Sequence, residues 1–337
     1  MNYVDRKGNR FVNPITTRQL GKSGITVSAL GMGCWAIGGE MWIEGKYDGW
    51  GPIDDNESIR AIRRALDLGV TFFDTSDVYG TGHSERILAR GIQGRRHHVV
   101  IATKFGFTYD EASRQITGAN LSPAYIRRAC EASLRRLQTD YIDLYQLHCG
   151  ASAEQVESIL ETLDQLVTEG HIRAYGWSTG DPASARLFAK GTHCVAIQHG
   201  LNVFGDAGAM LDLCEQYDLA SINNAPLASG LLTGKYTADS VLPANDFRTA
   251  GHEWEPYFDS GRPKPEFLQK LAAVREILTS GGRTPAQGAL AWIWARSNRT
   301  IPIPGFKTVA QVEENCGALN FGPLTTQQMD EIATLLG

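Results

Sequence analysis

Four side chains able to move or hold a proton stand in the first half of this sequence: Asp74, Tyr79, Lys104 and His148. Asp74 closes the apolar run Val70–Phe73, and Tyr79 follows it inside Gly/Ser/Asp turn chemistry. A carboxylate at a strand end and a phenol in the next loop build a core poorly. They are well suited to aim two ionisable groups into one pocket. A phenol, with a pKa of roughly 10, is a weak acid at neutral pH, and an ammonium beside it favours the phenolate. A buried Lys104 needs a carboxylate partner, which Asp74 supplies. A neutral His148 can hold a carbonyl oxygen. Together the four place a proton donor at an oxygen that gains negative charge, which is what carbonyl reduction requires. A Schiff-base amine at Lys104, as in an aldolase-type barrel, is the chemical alternative. No HxH or HExxH pattern offers a metal site, and no nucleophile elbow is expected.

Strands alternating with helices must position these groups. Apolar strand-like runs begin at Ala29, Val70, Val99, Tyr141, Ile172, Cys194, Ala220 and Thr300, each followed by helical periodicity. Asp74, Lys104, His148, Ser178 and Gln198 each stand just past one of these runs. Any one alone is as readily a cap, a solvated lysine or a structural histidine. Five at five strand ends form a pattern. Eight βα units predict a (β/α)8 TIM barrel of the α/β class, whose strand ends open on one face. An open doubly wound sheet is the other topology this alternation allows. The barrel is expected to fill residues 1–337 as a single domain, with an N-terminal β-hairpin around Gly21–Gly24.

Local signals mark the helix starts. Asp54 with Glu57 reads as a capping box ahead of Ile59, Ile62 and Leu66, and Ser152 with Gln155 reads as another. Ser122-Pro123 supplies a cap and a first-position proline. Residues 1–26 are polar and turn-rich. Ala36–Pro52 and residues 233–263 read as long loops, and Phe105–Leu121 as a further loop over the barrel mouth. Trp42, Trp50, Trp254, Tyr257 and Phe258 on these loops read equally as pocket lining or as loop anchors.

Composition narrows the partners. Of 337 residues, 42% are hydrophobic and 20% charged, as in soluble globular chains. With 32 Lys+Arg against 37 Asp+Glu the net charge is −5 and no basic run occurs, which argues against nucleic acid or an anionic membrane. No apolar run reaches membrane-span length, and residues 1–11 lack a signal-peptide core. The six cysteines are scattered without metal or redox spacing and read as buried free thiols. A reducing, cytoplasmic setting is expected.

Two stretches are candidates for a nucleotide. Gly31-Met-Gly33-Cys-Trp-Ala36 matches a GxGxxG/A pattern after a strand, and Gly33 joins the cofactor-binding set on that basis, although no helix pattern follows. IPIPGFKT followed by VAQVEEN ends a strand and starts a helix just after Lys307, where backbone N–H groups and a point charge suit a phosphate.

The chain resembles the aldo-keto reductases from about Thr17 onward. The resemblance rests on RQLGKSGITVSALGMGCW, FFDTSDVYGTGHSE, ATKFG, DLYQLH, YGWSTG, AIQHGLNVF, APLASGLLTGKY and IPIPGFKT…QVEEN, in the family's order. It implies a (β/α)8 barrel that binds NADP(H) without a Rossmann fold and acts on a small-molecule carbonyl or alcohol substrate. It implies Tyr79 as general acid, with Asp74, Lys104 and His148 as its partners. By the same resemblance Ser178, Thr179 and Gln198 would hold the nicotinamide amide. Pro226, Leu227, Gly230 and Leu232 would line the pyrophosphate path. Gly305, Lys307, Thr308, Gln311, Glu314 and Asn315 would hold the adenosine end, with Trp35 near the hydride. Thr179 stands where many members have Asn, Asn224 where an aromatic often stacks, and Gln311 where some have Arg. Lys307 therefore carries most of the case for a 2′-phosphate. The family also includes channel-associated β subunits, so a nucleotide-sensing binding module is the reading from another class.

Overall fold

The computed structural model describes residues 17–337. Residues 1–16 of the turn-rich segment 1–26, and with them residues 1–11 where no signal core is read, lie outside the described residues. Eight parallel strands form one sheet: β1 (Gly31–Gly33), β2 (Phe72–Asp74), β3 (Val100–Phe105), β4 (Ile142–Leu147), β5 (Ile172–Ser178), β6 (Cys194–Gly200), β7 (Ala220–Asn224) and β8 (Thr300–Pro302). They pair in chain order, and a bridge from Gly33 to Gly305 brings the two ends together in a nearly closed barrel. Around it run α1 (Asp55–Asp67), α2 (His83–Gly91), α3 (Pro123–Leu137), α4 (Ala153–Thr168), α5 (Pro182–Phe188), α6 (Gly208–Gln216), α7 (Pro265–Thr279), α8 (Pro285–Arg296) and α9 (Val309–Gly317), with α10 (Thr326–Leu336) packed on α7. The (β/α)8 reading holds, and the open doubly wound sheet does not.

The strand period of two explains the layering. Phe72, Ala102, Leu144, Ala174, Ala196 and Ile222 fill the barrel interior, while their neighbours Phe73, Ile101, Tyr145, Tyr175 and Ile197 pack outward under the helices. The expected hairpin is Thr17–Gln19 paired with Thr26–Ser28, and its Leu20, Ile25 and Val27 join the interior cluster. A side chain at Gly21 would run into the Val195 carbonyl, so the hairpin turn lies directly against β6. All six cysteines are buried free thiols. No described helix is long and apolar enough to cross a membrane.

Three long-loop readings need correction. Within Ala36–Pro52, Trp42–Ile43 pairs antiparallel with Lys46–Tyr47. The turn Glu44-Gly45 has positive φ at both residues, the geometry that suits a two-residue hairpin. Phe105–Leu121 contains a second hairpin, Phe107–Asp110 with Gln115–Ala119, and the two ribbons join through Trp42 and Gln115 into a four-stranded sheet. Residues 233–263 contain a short ribbon, Phe258–Asp259 with Arg262–Pro263, and a 3-10 turn at Phe247–Thr249. These strands are too short to show periodicity, and cross-strand pairs such as Trp42 on Tyr47 hold them.

The Asp54 capping box is half made. Asp54 accepts from the Asn56 and Glu57 N–H groups, but the Glu57 side chain goes elsewhere. At Ser152 and Gln155 both halves form.

Candidate functional site

The same alternation that fills the barrel carries polar side chains into its top layer. Asp74, Lys104, Gln146 and Gln198 are each two residues beyond an interior apolar residue, and all four are buried. Asp74, Lys104, Ser178 and Gln198 lie within their strands, and His148 is the first residue past β4, so the strands run further than the apolar runs suggested. Strand pairing continues because the backbone ladder does not depend on side-chain polarity.

Lys104 is the hub. Its Nζ donates to Asp74 Oδ1 at 2.6 Å, to the Thr75 carbonyl at 2.8 Å and to Tyr79 Oη at 3.1 Å. Three acceptors match the three hydrogens of an ammonium. The other Asp74 oxygen accepts from Gln198 Nε2 at 2.7 Å and from Gln146 Nε2 at 3.0 Å. Gln198 Oε1 in turn accepts from Ser178 Oγ at 3.3 Å. One network thus joins the residues expected at the proton donor to those expected at the nicotinamide.

Burial alone would depress the Lys104 ammonium, but Asp74 and Tyr79 beside it raise its pKa above the ordinary lysine value. Burial also lifts the Tyr79 phenol above its usual value; Lys104 pulls it down without overcoming that rise. The expected acidifying effect of Lys104 on Tyr79 is therefore present but outweighed. His148 meets Tyr79 edge-on with ring centroids 5.8 Å apart. Burial first, and then Lys104, hold its pKa well below the ordinary histidine value, so the ring is neutral.

Trp35 lies beside Tyr79 with ring centroids 6.3 Å apart, and packs on Trp50, Phe247 and Trp254. Its Nε1 is buried without a hydrogen-bond partner. Of the loop aromatics, Trp50 and Trp254 join this group at the mouth. Tyr257 instead packs on Phe204 and Phe267 and takes a bond from Asn202, Phe258 packs on Tyr236, and Trp42 packs on Tyr47, so these three anchor loops.

The other expected residues gather past β5 to β8 with uneven reach. Thr179 donates its N–H to the Gln198 carbonyl, and its hydroxyl accepts from Asp181 at the α5 start. Pro226 and Leu227 follow β7 in a segment where Ala225, Ala228, Ser229 and Gly230 all take positive φ. Leu232 is fully buried in the core instead of lining a surface. Gly33 lies in the barrel seam, where a side chain would press on the Ile303 carbonyl; closure alone explains that glycine. Lys307 Nζ donates to the Trp50 carbonyl at 2.8 Å, and its N–H to Gln311 Oε1 at 2.7 Å. Thr308 caps α9. Asn315 reaches the Gly305 carbonyl at 3.4 Å, whereas Glu314 is exposed and its carbonyl is held by Gln287.

The sequence patterns do not single out Gln146, Ser76, Asp77 or Arg248, and they assign Glu57 to a capping box, whereas it accepts from the Val309 N–H. The strand period does place Gln146 with His148, since it stands two residues before it and so on the same strand face. Arg248 is buried in the 233–263 segment. It pairs with Asp246 at 2.6 Å and donates to the Ser229 carbonyl at 2.8 Å, which ties that segment across the Leu227–Leu232 turn. No local pattern marks it.

A family model described as the Aldo/keto reductase family matches residues 29–336. Among curated proteins, the chain is 33% identical over 315 residues to the NADP(+) aldo-keto reductase yakc of Schizosaccharomyces pombe, covering 90% of this chain and 87% of that one. It is 32% identical to the aldo-keto reductase YhdN of Bacillus subtilis, covering 93% and 91%. Among solved structures, a glycerol dehydrogenase from Gluconobacter oxydans superposes with a TM-score of 0.81 at 29% identity, covering 95% of each chain. An aldo/keto reductase from Klebsiella pneumoniae, solved in complex with NADP and acetate, superposes with a TM-score of 0.69 at 25% identity, covering 96% and 95%.

Proposed function

The chain belongs to the aldo/keto reductase family, and from that premise we propose that it reduces an aldehyde or ketone to the alcohol with NADPH, or runs the reverse oxidation, with Tyr79 as the proton donor. The observation that carries this reading is the contact of Lys104 with both Asp74 and Tyr79 inside the barrel top.

The residues present fit a nicotinamide nucleotide. Ser178 and Gln198 offer a hydroxyl and an amide beside Asp74, and the buried Trp35 indole N–H next to Tyr79 lacks a protein partner. Lys307 takes no ion pair among the described residues and spends one ammonium hydrogen on the Trp50 carbonyl, which leaves two for a phosphate. Lys307, Gln311 and Asn315 would hold the adenosine end, and the turn from Pro226 to Gly230 would follow the pyrophosphate. When bound, the reduced cofactor supplies a hydride.

The protein's share of the chemistry is electrostatic and geometric. As the carbonyl carbon gains the hydride, its oxygen gains negative charge, and Tyr79 gives that oxygen its proton. Lys104 compensates the tyrosinate left behind, and Asp74, held by Gln146 and Gln198, fixes Lys104. His148, neutral, orients the carbonyl oxygen. The raised pKa of Lys104 and its three acceptors leave no amine lone pair for a Schiff base.

The described barrel acts as one domain on a small-molecule substrate. Six buried free thiols favour a reducing compartment such as the cytoplasm. The test is NADPH consumption with a panel of activated aldehydes and ketones, alongside a cofactor titration. Turnover with at least one carbonyl is expected. Tight NADPH binding with no turnover on any of them would move the nucleotide-sensing module ahead.

A further inference from the structure

His148 touches a short polar chain to which the proton transfer from Tyr79 assigns no part. Its Nδ1 lies 3.1 Å from Ser76 Oγ, and Ser76 Oγ lies 3.1 Å from Asp77 Oδ1. A neutral imidazole has one N–H, and a hydroxyl has one hydrogen. If Ser76 gives its hydrogen to an ionised Asp77, His148 must donate from Nδ1, and Nε2 is left as a bare acceptor. If Asp77 is protonated and donates to Ser76, the hydroxyl turns to Nδ1 and the ring proton sits on Nε2. Only the second arrangement lets His148 donate to a carbonyl oxygen.

We infer that Ser76 and Asp77 are positioning residues that select the Nε2–H tautomer of His148. The inference rests on the carbonyl-reduction reading for its purpose, but not for its hydrogen-bond logic.

The surroundings of Asp77 favour its protonated form. It is 1% exposed. Glu85 on α2 repels its charge. Arg136 on α3 is the cation facing it, but that guanidinium is paired with the Glu85 carboxylate. Thr103 Oγ1 donates to the other Glu85 oxygen at 2.6 Å. The remaining titratable groups that face Asp77 are Tyr109 on the hairpin, Tyr125 on α3, Tyr145 on β4 and Cys149 just past β4. All four are neutral in this setting, since burial raises each of them. Burial foremost, with Glu85 second, pushes the Asp77 carboxyl up to about 8. Below that pH the carboxyl is a donor and the chain runs from Asp77 through Ser76 to Nδ1.

The test reads the tautomer directly. Long-range proton–nitrogen NMR on 15N-histidine protein, from about pH 6 to about pH 10, assigns the protonated ring nitrogen of His148, identified by its loss in His148→Asn. Wild type is expected to carry the proton on Nε2 at low pH and to shift it to Nδ1 as Asp77 ionises. Asp77→Asn, whose amide can donate to Ser76 but cannot ionise, is expected to keep Nε2–H throughout. Ser76→Ala is expected to lose the pH response. A wild-type tautomer that does not change over this range overturns the inference, as does an Asp77→Asn protein that shifts like wild type. Because the signal is read on free protein, a correct tautomer pattern in a protein with no turnover would sink the reductase reading alone.

Discussion

Glu57 Oε1 accepts a hydrogen bond from the Val309 N–H at 2.8 Å, so a carboxylate from α1 sits on the first turn of α9. That turn, next to Lys307, is where the sequence pattern suggested a phosphate. The Val309 contact and then Arg60 lower the Glu57 pKa, so the carboxylate is charged at neutral pH. On the proposed reading, a 2′-phosphate arriving there would meet Lys307 and also Glu57, whose other oxygen is paired with Arg60.

The two should therefore move cofactor choice in opposite directions. Glu57→Gln is expected to tighten NADPH several-fold and leave NADH nearly unchanged. Lys307→Ala is expected to weaken NADPH by about ten-fold, with little effect on NADH. Fluorescence titrations of both cofactors check this. Equal shifts for NADPH and NADH would place Glu57 and Lys307 away from the 2′-phosphate.

The Asp74–Lys104 pair is fully buried, so removing one partner leaves a charge without compensation. Lys104→Met should lower stability by about 3–5 kcal/mol. Adding Asp74→Asn to it should recover part of that loss, because the stranded carboxylate is gone. Urea denaturation of the two singles and the double reads the coupling. Additive losses would mean that the pair does not interact as the 2.6 Å contact requires.

Much of this was legible in advance, for a physical reason. The barrel follows from period-two strands alternating with amphipathic helices, and Asp74, Tyr79, Lys104 and His148 converge because strand ends share a face. The mouth was less legible. Trp42–Ile43 and its partner ribbons are two to five residues long, and tertiary pairing alone holds them. Glu57 was misread because a capping-box pattern and an interhelical contact use the same residue type. Ser76 and Asp77 lie between Asp74 and Tyr79 in the chain, but their burial beside Glu85 depends on how α2 and α3 pack.

Two buried carboxyls should shape stability against pH. Burial pushes Asp77 up to about 8 and Asp48 up to about 7. Both hold their protons in the folded chain to a higher pH than in the unfolded one, near 3.9. Between about pH 4 and pH 8 these two groups bind more protons in the folded chain, and their contribution to stability falls as pH rises. His148 and His199, held neutral by burial, act in the opposite sense up to about pH 6.5, so melting temperatures should decline from about pH 6.5 to pH 8, and the double variant Asp48→Asn/Asp77→Asn should flatten that decline. A wild-type profile that rises from about pH 6.5 to pH 8 would contradict the burial of these groups as neutral acids.

The central claim is that Tyr79 gives the proton while its neighbours hold it in place. Tyr79→Phe removes one oxygen and leaves the aromatic ring beside Trp35 and His148. Single-turnover reduction of a carbonyl by NADPH, with cofactor affinity measured on the same samples, tests the claim most directly. The account predicts unchanged NADPH affinity and a chemical step slowed by at least about 100-fold. A Tyr79→Phe protein that binds NADPH and reduces the carbonyl at the wild-type rate would contradict it.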